Sequence, residues 1–169
     1  MKAALLCNGP SRVSYQADPA YQFVLGCNVP WTDVNATVIL DAEVIEKWNK
    51  SRSLINVPVY TSESAHKKAM MLDKIFFKDK FIKNVYCAPN YHSSGHVAAE
   101  VLIELGYTEI DIYGCDSWFS MVGDSYTRTV VPHTSPNMDL RMPDRIKGWR
   151  IRWNSLIDSN PNVKLNFIK

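Results

Sequence analysis

The chain has 169 residues, of which 46% are hydrophobic and 21% are charged, and its formal net charge is +2. This length is typical of one domain with a substantial core, so we predict a single domain over residues 1–169. The near-neutral charge argues against a broad nucleic-acid or membrane-binding surface, and we expect no nucleic-acid partner.

The chain opens with a short strand that ends in a polar loop. The unalternated apolar run Ala3–Cys7 predicts a strand buried on both faces, and Asn8-Gly9-Pro10-Ser11 follows it. Gly9 permits a close approach or a positive φ, Pro10 fixes the next φ, and Ser11 is able to cap a turn. The loop is either a plain turn or a phosphate-binding loop before a helix N-terminus.

The next two strands also end at polar residues. We predict them at 22–27 and 36–40, with Asn28 and Asp41 directly after them. Asp41 either caps the helix predicted at 42–49 or bonds a ribose hydroxyl, as an acid at a strand end does in nucleotide-binding folds. The elements that follow are a strand at 58–60, a helix at 62–72, an aromatic and lysine-rich sheet edge at 75–83 and a strand at 84–87.

The stretch 91–116 predicts a loop, a buried helix, a tight turn and a strand. Ser93 and Ser94 are able to cap the helix. Its apolar face carries Val97, Val101, Leu102 and Leu105. Gly106 suits a left-handed cap, and the strand 109–113 ends at Gly114-Cys115-Asp116. Such a helix and strand are half of a βαβ unit, in which ligands bind beyond the carboxyl ends of the strands.

The last third begins with an irregular region. Residues 117–142 lack a strong period but are rich in aromatic side chains, which is typical of a functional loop. Pro143 predicts the first turn of the last helix, and a strand follows at 163–167. The late basic residues form either a solvated helix face or a phosphate-binding patch; they are Arg141, Arg145, Lys147, Arg150 and Arg152.

Alternating strands and helices with short turns predict an α/β fold: a three-layer α/β/α, Rossmann-like domain with a mostly parallel sheet. No segment approaches membrane-spanning length, and the apolar run at 3–7 is too short for a signal peptide. The cysteines at 7, 27, 87 and 115 form no CxxC pair, so we predict reduced thiols in the cytoplasm and no metal site. Cys7, Cys27 and Cys115 end strands that meet at one sheet edge, which leaves a redox role open.

Several loops at the predicted ligand edge follow the order of one known family. They are Asn8-Gly9-Pro10-Ser11, Cys27-Asn28, Ser93-Ser94-Gly95, Gly114-x-Asp116, Gly123-Asp124-Ser125-Tyr126 and His133. Over nearly its whole length the chain thus resembles the bacterial sialyltransferases typified by the Campylobacter lipooligosaccharide enzymes. It resembles more distantly the sialyltransferase-like domains grouped with archaeal pterin pyrophosphokinases.

The resemblance implies a Rossmann-like domain that binds a CMP-like nucleotide sugar and needs no metal or other cofactor. The residues that it places at the nucleotide are Asn8, Gly9, Pro10, Ser11, Asn28, Asp41, Ser93, Ser94, Gly95, Asp116 and Trp118. It implies that Tyr126 steadies the departing phosphate and that His133 removes the proton from the acceptor hydroxyl. Neutral donors suit a phosphate that gains charge as its glycosyl bond breaks.

The chain departs from the family pattern in three places. Trp118 stands where the family has a second phosphate-binding tyrosine, and Asp41 stands near a family asparagine. Only a few residues separate Tyr126 from His133, where the family has a much longer lid that closes over the donor. A short lid excludes water poorly, so the transfer reaction is the property that these departures affect most.

Three hypotheses follow. The first is a small, metal-independent glycosyltransferase that uses a CMP-like sugar donor, with His133 as general base. The second is a non-catalytic module that binds or sequesters a nucleotide. The third is a pyrophosphokinase-like enzyme in which Asp41 and Asp116 face a metal, although Asp116 is alternatively a structural residue that accepts hydrogen bonds from backbone N–H groups of neighbouring loops. Homo-oligomerisation stays open.

Overall fold

The computed structural model describes residues 1–51, 57–71, 81–82, 93–120 and 138–169. The strand predicted at 84–87 lies outside these residues, as do Tyr126, His133 and most of the segment predicted at 75–83. Within the described ranges, no helix combines the length and the apolar character that crossing a membrane requires.

In the part of the chain that the structure describes, seven strands form one parallel sheet. They are β1 (Lys2–Leu6), β2 (Phe23–Cys27), β3 (Ala36–Ile39), β4 (Val59–Thr61), β5 (Phe81–Ile82), β6 (Glu109–Tyr113) and β7 (Lys164–Ile168). Their order across the sheet is β5-β4-β3-β2-β1-β6-β7, and each neighbouring pair is parallel. The predicted α/β, Rossmann-like fold is therefore confirmed.

The described residues contain four α-helices, α1 (Ala42–Ser51), α2 (Glu63–Met71), α3 (Ser94–Glu104) and α4 (Met138–Ser159), and 3-10 helices at Pro10–Ser14 and Asp116–Trp118. The predicted start of α4 was wrong, because Pro143 lies inside the helix rather than in its first turn. Inside a helix a proline lacks the N–H that would bond to the preceding turn, and its ring crowds that turn, which is why a first-turn position was expected. The proline signal therefore marked a position too late in the chain.

Helices α3 and α4 cover one face of the sheet. Ala3 and Leu5 of β1 and Ile110 and Ile112 of β6 pack there in the main core with the largest fully buried side chain, Trp153 of α4. The predicted face of α3 is buried at Val97, Val101 and Leu102. The expectation for Leu105 was wrong: this residue is 44% exposed, because α3 ends at Glu104 and Leu105 is its C-cap.

The opposite face is covered in two different ways. Helices α1 and α2 pack over β3 and β4 through a core of Ile39, Val44, Ile45, Val59, Ala65 and Ala69. Over β1 and β6 the cover is aromatic, and we call Tyr15, Tyr21 and Trp31 the aromatic layer, which packs on Ala4, Leu6 and Tyr113. The link from β1 to β2 contains a 3-10 helix in place of the usual crossover α-helix.

A buried carboxylate lies beneath this layer. Asp111 of β6 accepts hydrogen bonds from the Tyr21 hydroxyl (2.7 Å) and from Nδ2 of Asn166 (2.7 Å), and its Oδ2 lies 3.0 Å from Nζ of Lys2. Because the Tyr21 proton goes to the carboxylate, the Tyr113 hydroxyl donates to the Tyr21 oxygen at 2.7 Å. Both faces of β6 are therefore buried, one apolar and one polar.

The sheet has a topological switch point at β1. The chain proceeds from β1 through β2, β3 and β4 to β5 on one side, and then crosses to the other side of β1 to form β6 and β7. In open α/β sheets, ligands bind in the crevice beyond the carboxyl ends of the strands at such a point. The fold therefore directs attention to the loops that follow β1, β2 and β6 and to the N-terminus of α3.

Candidate functional site

The loops after β1 and β6 run side by side at the switch point. The Cys7 N–H donates to the Tyr113 carbonyl (2.8 Å), and the Gly9 N–H donates to the Gly114 carbonyl (2.7 Å). A Cβ on Gly9 would lie 2.0 Å from Oδ2 of Asp116 and 2.4 Å from the Gly114 oxygen. Of the two roles predicted for Gly9, the close approach is the one observed, because its φ is −68°.

Asp116 joins these two loops through its side chain. Its Oδ2 accepts hydrogen bonds from the Ser11 N–H (3.1 Å) and the Ser11 hydroxyl (3.0 Å), and its Oδ1 lies 3.3 Å from the same N–H. The structural interpretation of Asp116 is therefore confirmed. Pro10 is the first residue of a 3-10 helix, and these bonds hold that helix against the end of β6.

Two asparagines line the edge between β1 and β2. Asn8 donates from Nδ2 to the Cys27 carbonyl (3.1 Å), and its Oδ1 is buried without a hydrogen-bond partner among the described residues. Asn28 has a left-handed backbone with φ of 58°, which asparagine tolerates better than most residues. Its Oδ1 accepts a hydrogen bond from the Ser94 hydroxyl at 3.4 Å, so the carboxyl end of β2 contacts the start of α3.

The N-terminus of α3 is held by Ser93 and His96, which form a capping box. The Ser93 N–H (3.3 Å) and the Ser93 hydroxyl (2.6 Å) both contact Nδ1 of His96, and Nε2 of His96 contacts the Trp149 carbonyl at 2.9 Å. A carbonyl only accepts and a backbone N–H only donates, so His96 is protonated on Nε2 and accepts at Nδ1. His96 thus takes the position that Glu or Gln has in the usual capping box.

Three thiols lie below the loops of the candidate site. The Cys7 thiol contacts the thiols of both Cys27 and Cys115, and its Sγ would lie 3.1 Å from a Cβ placed on Gly95. The predicted convergence of these cysteines is confirmed, and all three are buried. The interaction with Cys115 lowers the pKa of Cys7, but the interaction with Cys27 and burial outweigh it and raise this pKa well above its ordinary value. The protonated form of such a thiol is the unreactive one.

Other predicted site residues have separate surroundings. The Trp118 ring stacks on Phe167, with the centroids 4.3 Å apart and the planes at 11°. Asp41 is exposed at the carboxyl end of β3, where its carbonyl accepts from the Val44 N–H (3.1 Å) at the start of α1. Pro10 is exposed. Tyr126 and His133 lie outside the described residues, so the structure places neither of them.

The sequence analysis missed two residues at this edge. Arg12 follows Ser11 directly, and its guanidinium carbon lies 5.4 Å from the centre of the Trp31 ring. Both side chains carry a buried nitrogen without a hydrogen-bond partner in the described part of the chain: Nη1 of Arg12 and Nε1 of Trp31. The position of Arg12 directly after the candidate phosphate loop could have marked it as a site residue from the sequence. Its contact with Trp31 depends on the tertiary fold and could not have been predicted in this way.

The switch point combines neutral side chains with one helix N-terminus. Asn8, Asn28 and Ser94 are neutral and the N-terminus of α3 carries a partial positive charge, while the Asp116 carboxylate keeps its negative charge as it accepts hydrogen bonds from Ser11. In the described residues, no group of three or more His, Cys, Asp or Glu side chains is placed to hold a metal ion. Of the features described at this edge, the N-terminus of α3 is the one whose partial charge suits an anion.

The fold and this edge define a Rossmann-like α/β domain with polar loops at its switch point. Comparison of the chain with family models, curated proteins and solved structures finds no match. The resemblance to sialyltransferases therefore stays a prediction from the sequence.

Proposed function

We propose that the chain is a small sialyltransferase-like glycosyltransferase that binds a nucleotide-activated, CMP-like sugar at the carboxyl edge of the sheet. The observation that carries the proposal is the meeting of Asn8, Asn28 and Ser94 at the switch point, where three separate segments contribute neutral hydrogen-bonding groups. The start of α3 adds its partial positive charge at the same place.

The proposed reaction breaks the bond between a sugar and a phosphate oxygen and passes the sugar to an acceptor hydroxyl. The departing phosphate gains negative charge, which the hydrogen-bond donors at the edge and the helix N-terminus stabilise without a metal. Tyr126 would donate to this phosphate, and His133 would take the acceptor proton. These two roles come from the sequence resemblance alone.

A second candidate is a module that binds the nucleotide without transferring a sugar. The stacking of Trp118 on Phe167 favours it, because an indole that packs on a ring does not replace the hydroxyl expected at this position. The third hypothesis, a pyrophosphokinase-like enzyme, has less support. The Asp116 carboxylate, one of its two metal-facing groups, already accepts hydrogen bonds from Ser11.

The experiment that tests the proposal combines binding and turnover. Thermal unfolding is followed with CMP, CDP, ATP and CMP-sialic acid, with and without Mg²⁺, because a bound ligand raises the unfolding temperature by mass action. We expect CMP and CMP-sialic acid to stabilise the protein without Mg²⁺, and we expect slow hydrolysis of CMP-sialic acid that His133→Ala abolishes.

Each other result selects a different conclusion. Stabilisation by CMP with no turnover of the donor supports the binding module. A strict requirement for Mg²⁺ supports the pyrophosphokinase-like enzyme. If none of the four nucleotides shifts the unfolding temperature, the proposed function is wrong.

A further inference from the structure

Two neighbouring half-buried side chains on the aromatic-layer side of the switch point each carry a buried nitrogen. The Arg12 guanidinium lies over the Trp31 ring at 5.4 Å, and neither Nη1 of Arg12 nor Nε1 of Trp31 has a hydrogen-bond partner among the described residues. Buried polar atoms in folded proteins are nearly always paired, and a buried donor without an acceptor is costly. These two nitrogens therefore call for an acceptor.

The position of Arg12 is fixed by the loops of the candidate site. Its neighbour Ser11 is bonded to Asp116, and a Cβ on Gly114 would lie 3.1 Å from the Cβ of Arg12. Gly114 is the residue that ends β6 at the switch point, with φ of +69°. Arg12 thus lies at the edge of the sheet where α/β folds bind their ligands.

The position of Trp31 is fixed by the aromatic layer. Its ring meets Tyr15 edge to face, with centroids 6.0 Å apart and planes at 87°, and Tyr15 in turn packs edge to face on Tyr113 of β6. Aromatic packing of this kind locks the orientation of each ring. The orientation of the indole N–H is therefore fixed before a ligand binds, which lowers the cost of binding an acceptor to it.

The chemistry of the two donors specifies an oxyanion. Guanidinium and indole nitrogens donate and never accept, and the planar fork of arginine matches the oxygens of a carboxylate or a phosphate. Within the described residues, Arg12 takes part in no ion pair. The positive charge of Arg12 is therefore not neutralised there.

We propose that Arg12 and Trp31 form an oxyanion-binding subsite that holds a phosphate or carboxylate group of the ligand at the switch point. The inference rests on the proposed function for the identity of the whole ligand, and it adds the cation of Arg12 beside the neutral side chains of Asn8, Asn28 and Ser94. Nothing in the sequence resemblance assigned a role to either residue.

The test observes the Trp31 indole N–H directly by two-dimensional ¹H–¹⁵N NMR. The chain has five tryptophans, and the Trp31 resonance is the one that disappears in Trp31→Phe. Cytidine, CMP, CMP-sialic acid, inorganic phosphate and acetate are titrated separately at constant ionic strength. If a phosphate fills the subsite, the resonance moves with CMP and inorganic phosphate; if a carboxylate fills it, the resonance moves with CMP-sialic acid and acetate but not with CMP.

Two substitutions measure the energetic contribution. Arg12→Gln should weaken binding of the responding ligand roughly tenfold to hundredfold, since hydrogen bonds to charged groups have that effect. Trp31→Phe keeps an aromatic ring but removes the indole N–H, and it should weaken binding about threefold to tenfold. The matched control is Lys164→Gln, which removes the same charge from an exposed position at the opposite, amino-terminal end of β7 and should leave affinity unchanged. Thermal unfolding without ligand checks that each variant is folded.

The outcomes separate this inference from the proposed function. If nucleotides bind but the Trp31 resonance stays fixed and Arg12→Gln binds them normally, the subsite is refuted while the proposed function stands. If no nucleotide binds but inorganic phosphate or acetate moves the Trp31 resonance and Arg12→Gln abolishes the effect, the subsite stands and the proposed function is wrong. If none of the five compounds has an effect, both are refuted.

Discussion

The carboxylate of Asp116 accepts hydrogen bonds from both the backbone N–H and the hydroxyl of Ser11, a residue 105 positions earlier in the chain. This pair joins the loops that follow β6 and β1, the two strands on either side of the switch point. It also fixes the 3-10 helix that carries Arg12. One carboxylate thus shapes the candidate site by holding two of its loops together.

We predict that Asp116→Asn lowers the free energy of unfolding by about 1–2 kcal/mol, because a charge-assisted hydrogen bond is replaced by a neutral one in a partly buried position. Urea unfolding monitored by circular dichroism measures the change. Asp33→Asn, at an exposed loop position, is the matched control and should change stability by less than about 0.5 kcal/mol. Equal stabilities of Asp116→Asn and the parent would show that the bonds to Ser11 contribute nothing.

Gly9 offers a second test of the same junction. In Gly9→Ala the new methyl group would clash with Oδ2 of Asp116 and with the Gly114 backbone. The loop must therefore move, which we expect to lower the free energy of unfolding by about 1–3 kcal/mol. Gly26→Ala is the control, since its Cβ would lie no closer than 3.3 Å to Oγ1 of Thr37. In urea unfolding, Gly9→Ala should have a clearly lower free energy of unfolding than Gly26→Ala. The reverse order would contradict the close approach of the two loops.

Local signals in the sequence predicted much of this fold. Strand β6 has its predicted bounds, Gly106 has the left-handed φ of +88° expected at a helix C-cap, and Ser93 is the N-cap of α3. Each of these features depends on a few neighbouring residues. The convergence of the cysteines was also predictable, because parallel strands end at one edge of the sheet.

Features that depend on tertiary contacts were not predictable in the same way. Asp111 looks like a solvent-facing residue in an alternating strand, yet it is buried because Tyr21, Asn166 and Lys2 meet it. The contact of Arg12 with Trp31 joins two loops that follow different strands. No spacing rule relates such positions, and for this reason the aromatic layer and the proposed subsite emerged only from the three-dimensional structure.

Asp111 leads to a prediction about pH. Burial alone would raise the pKa of this carboxyl, but hydrogen bonds from Asn166, Tyr21 and Lys2 outweigh it and hold the pKa below its ordinary value. A carboxyl with a lowered pKa in the folded state stabilises the fold above the unfolded pKa of about 4, and this stabilisation is lost as the pH falls through the folded pKa.

We therefore expect Asp111→Asn to be less stable than the parent by about 1.5–3 kcal/mol at pH 7, since the bonds to a charged acceptor are lost. The difference should shrink as the pH falls below about 4, where the unfolded chain begins to take up the proton, and further as the pH passes through the lower pKa of the folded carboxyl. Urea unfolding at a series of pH values measures both quantities. A gap between the two proteins that stays constant down to pH 2 would contradict the lowered pKa. Asp33→Asn, at an exposed loop position, serves as control.

The buried thiols make a prediction about reactivity. Contact with the Cys7 thiol and burial raise the pKa of Cys115 well above its ordinary value, and the pKa of Cys7 is raised as well. Because the thiolate is the reactive form, both residues should react with a disulfide reagent at pH 8 at least tenfold more slowly in the native protein than in guanidinium. Mass spectrometry of the labelled peptides measures each rate. Equal native and unfolded rates would exclude the buried cluster.

The two serines at the start of α3 separate stability from binding. Ser93 belongs to the capping box with His96, so Ser93→Ala should lower the free energy of unfolding by about 1 kcal/mol. Ser94 contacts Oδ1 of Asn28 at 3.4 Å, which is the long limit of a hydrogen bond, and Ser94→Ala should change stability by less than about 0.5 kcal/mol.

The affinity for CMP should respond in the opposite order. Ser94 lies at the candidate site, so Ser94→Ala should weaken CMP binding about threefold to tenfold, as the loss of one neutral hydrogen bond does. Ser93→Ala should leave the affinity of the folded protein nearly unchanged, because the Ser93 hydroxyl is already engaged by Nδ1 of His96. Isothermal titration with CMP measures both variants. If Ser94→Ala bound CMP as tightly as the parent, the nucleotide would have to lie away from the edge that Asn28 and α3 share, although the fold would be unaffected.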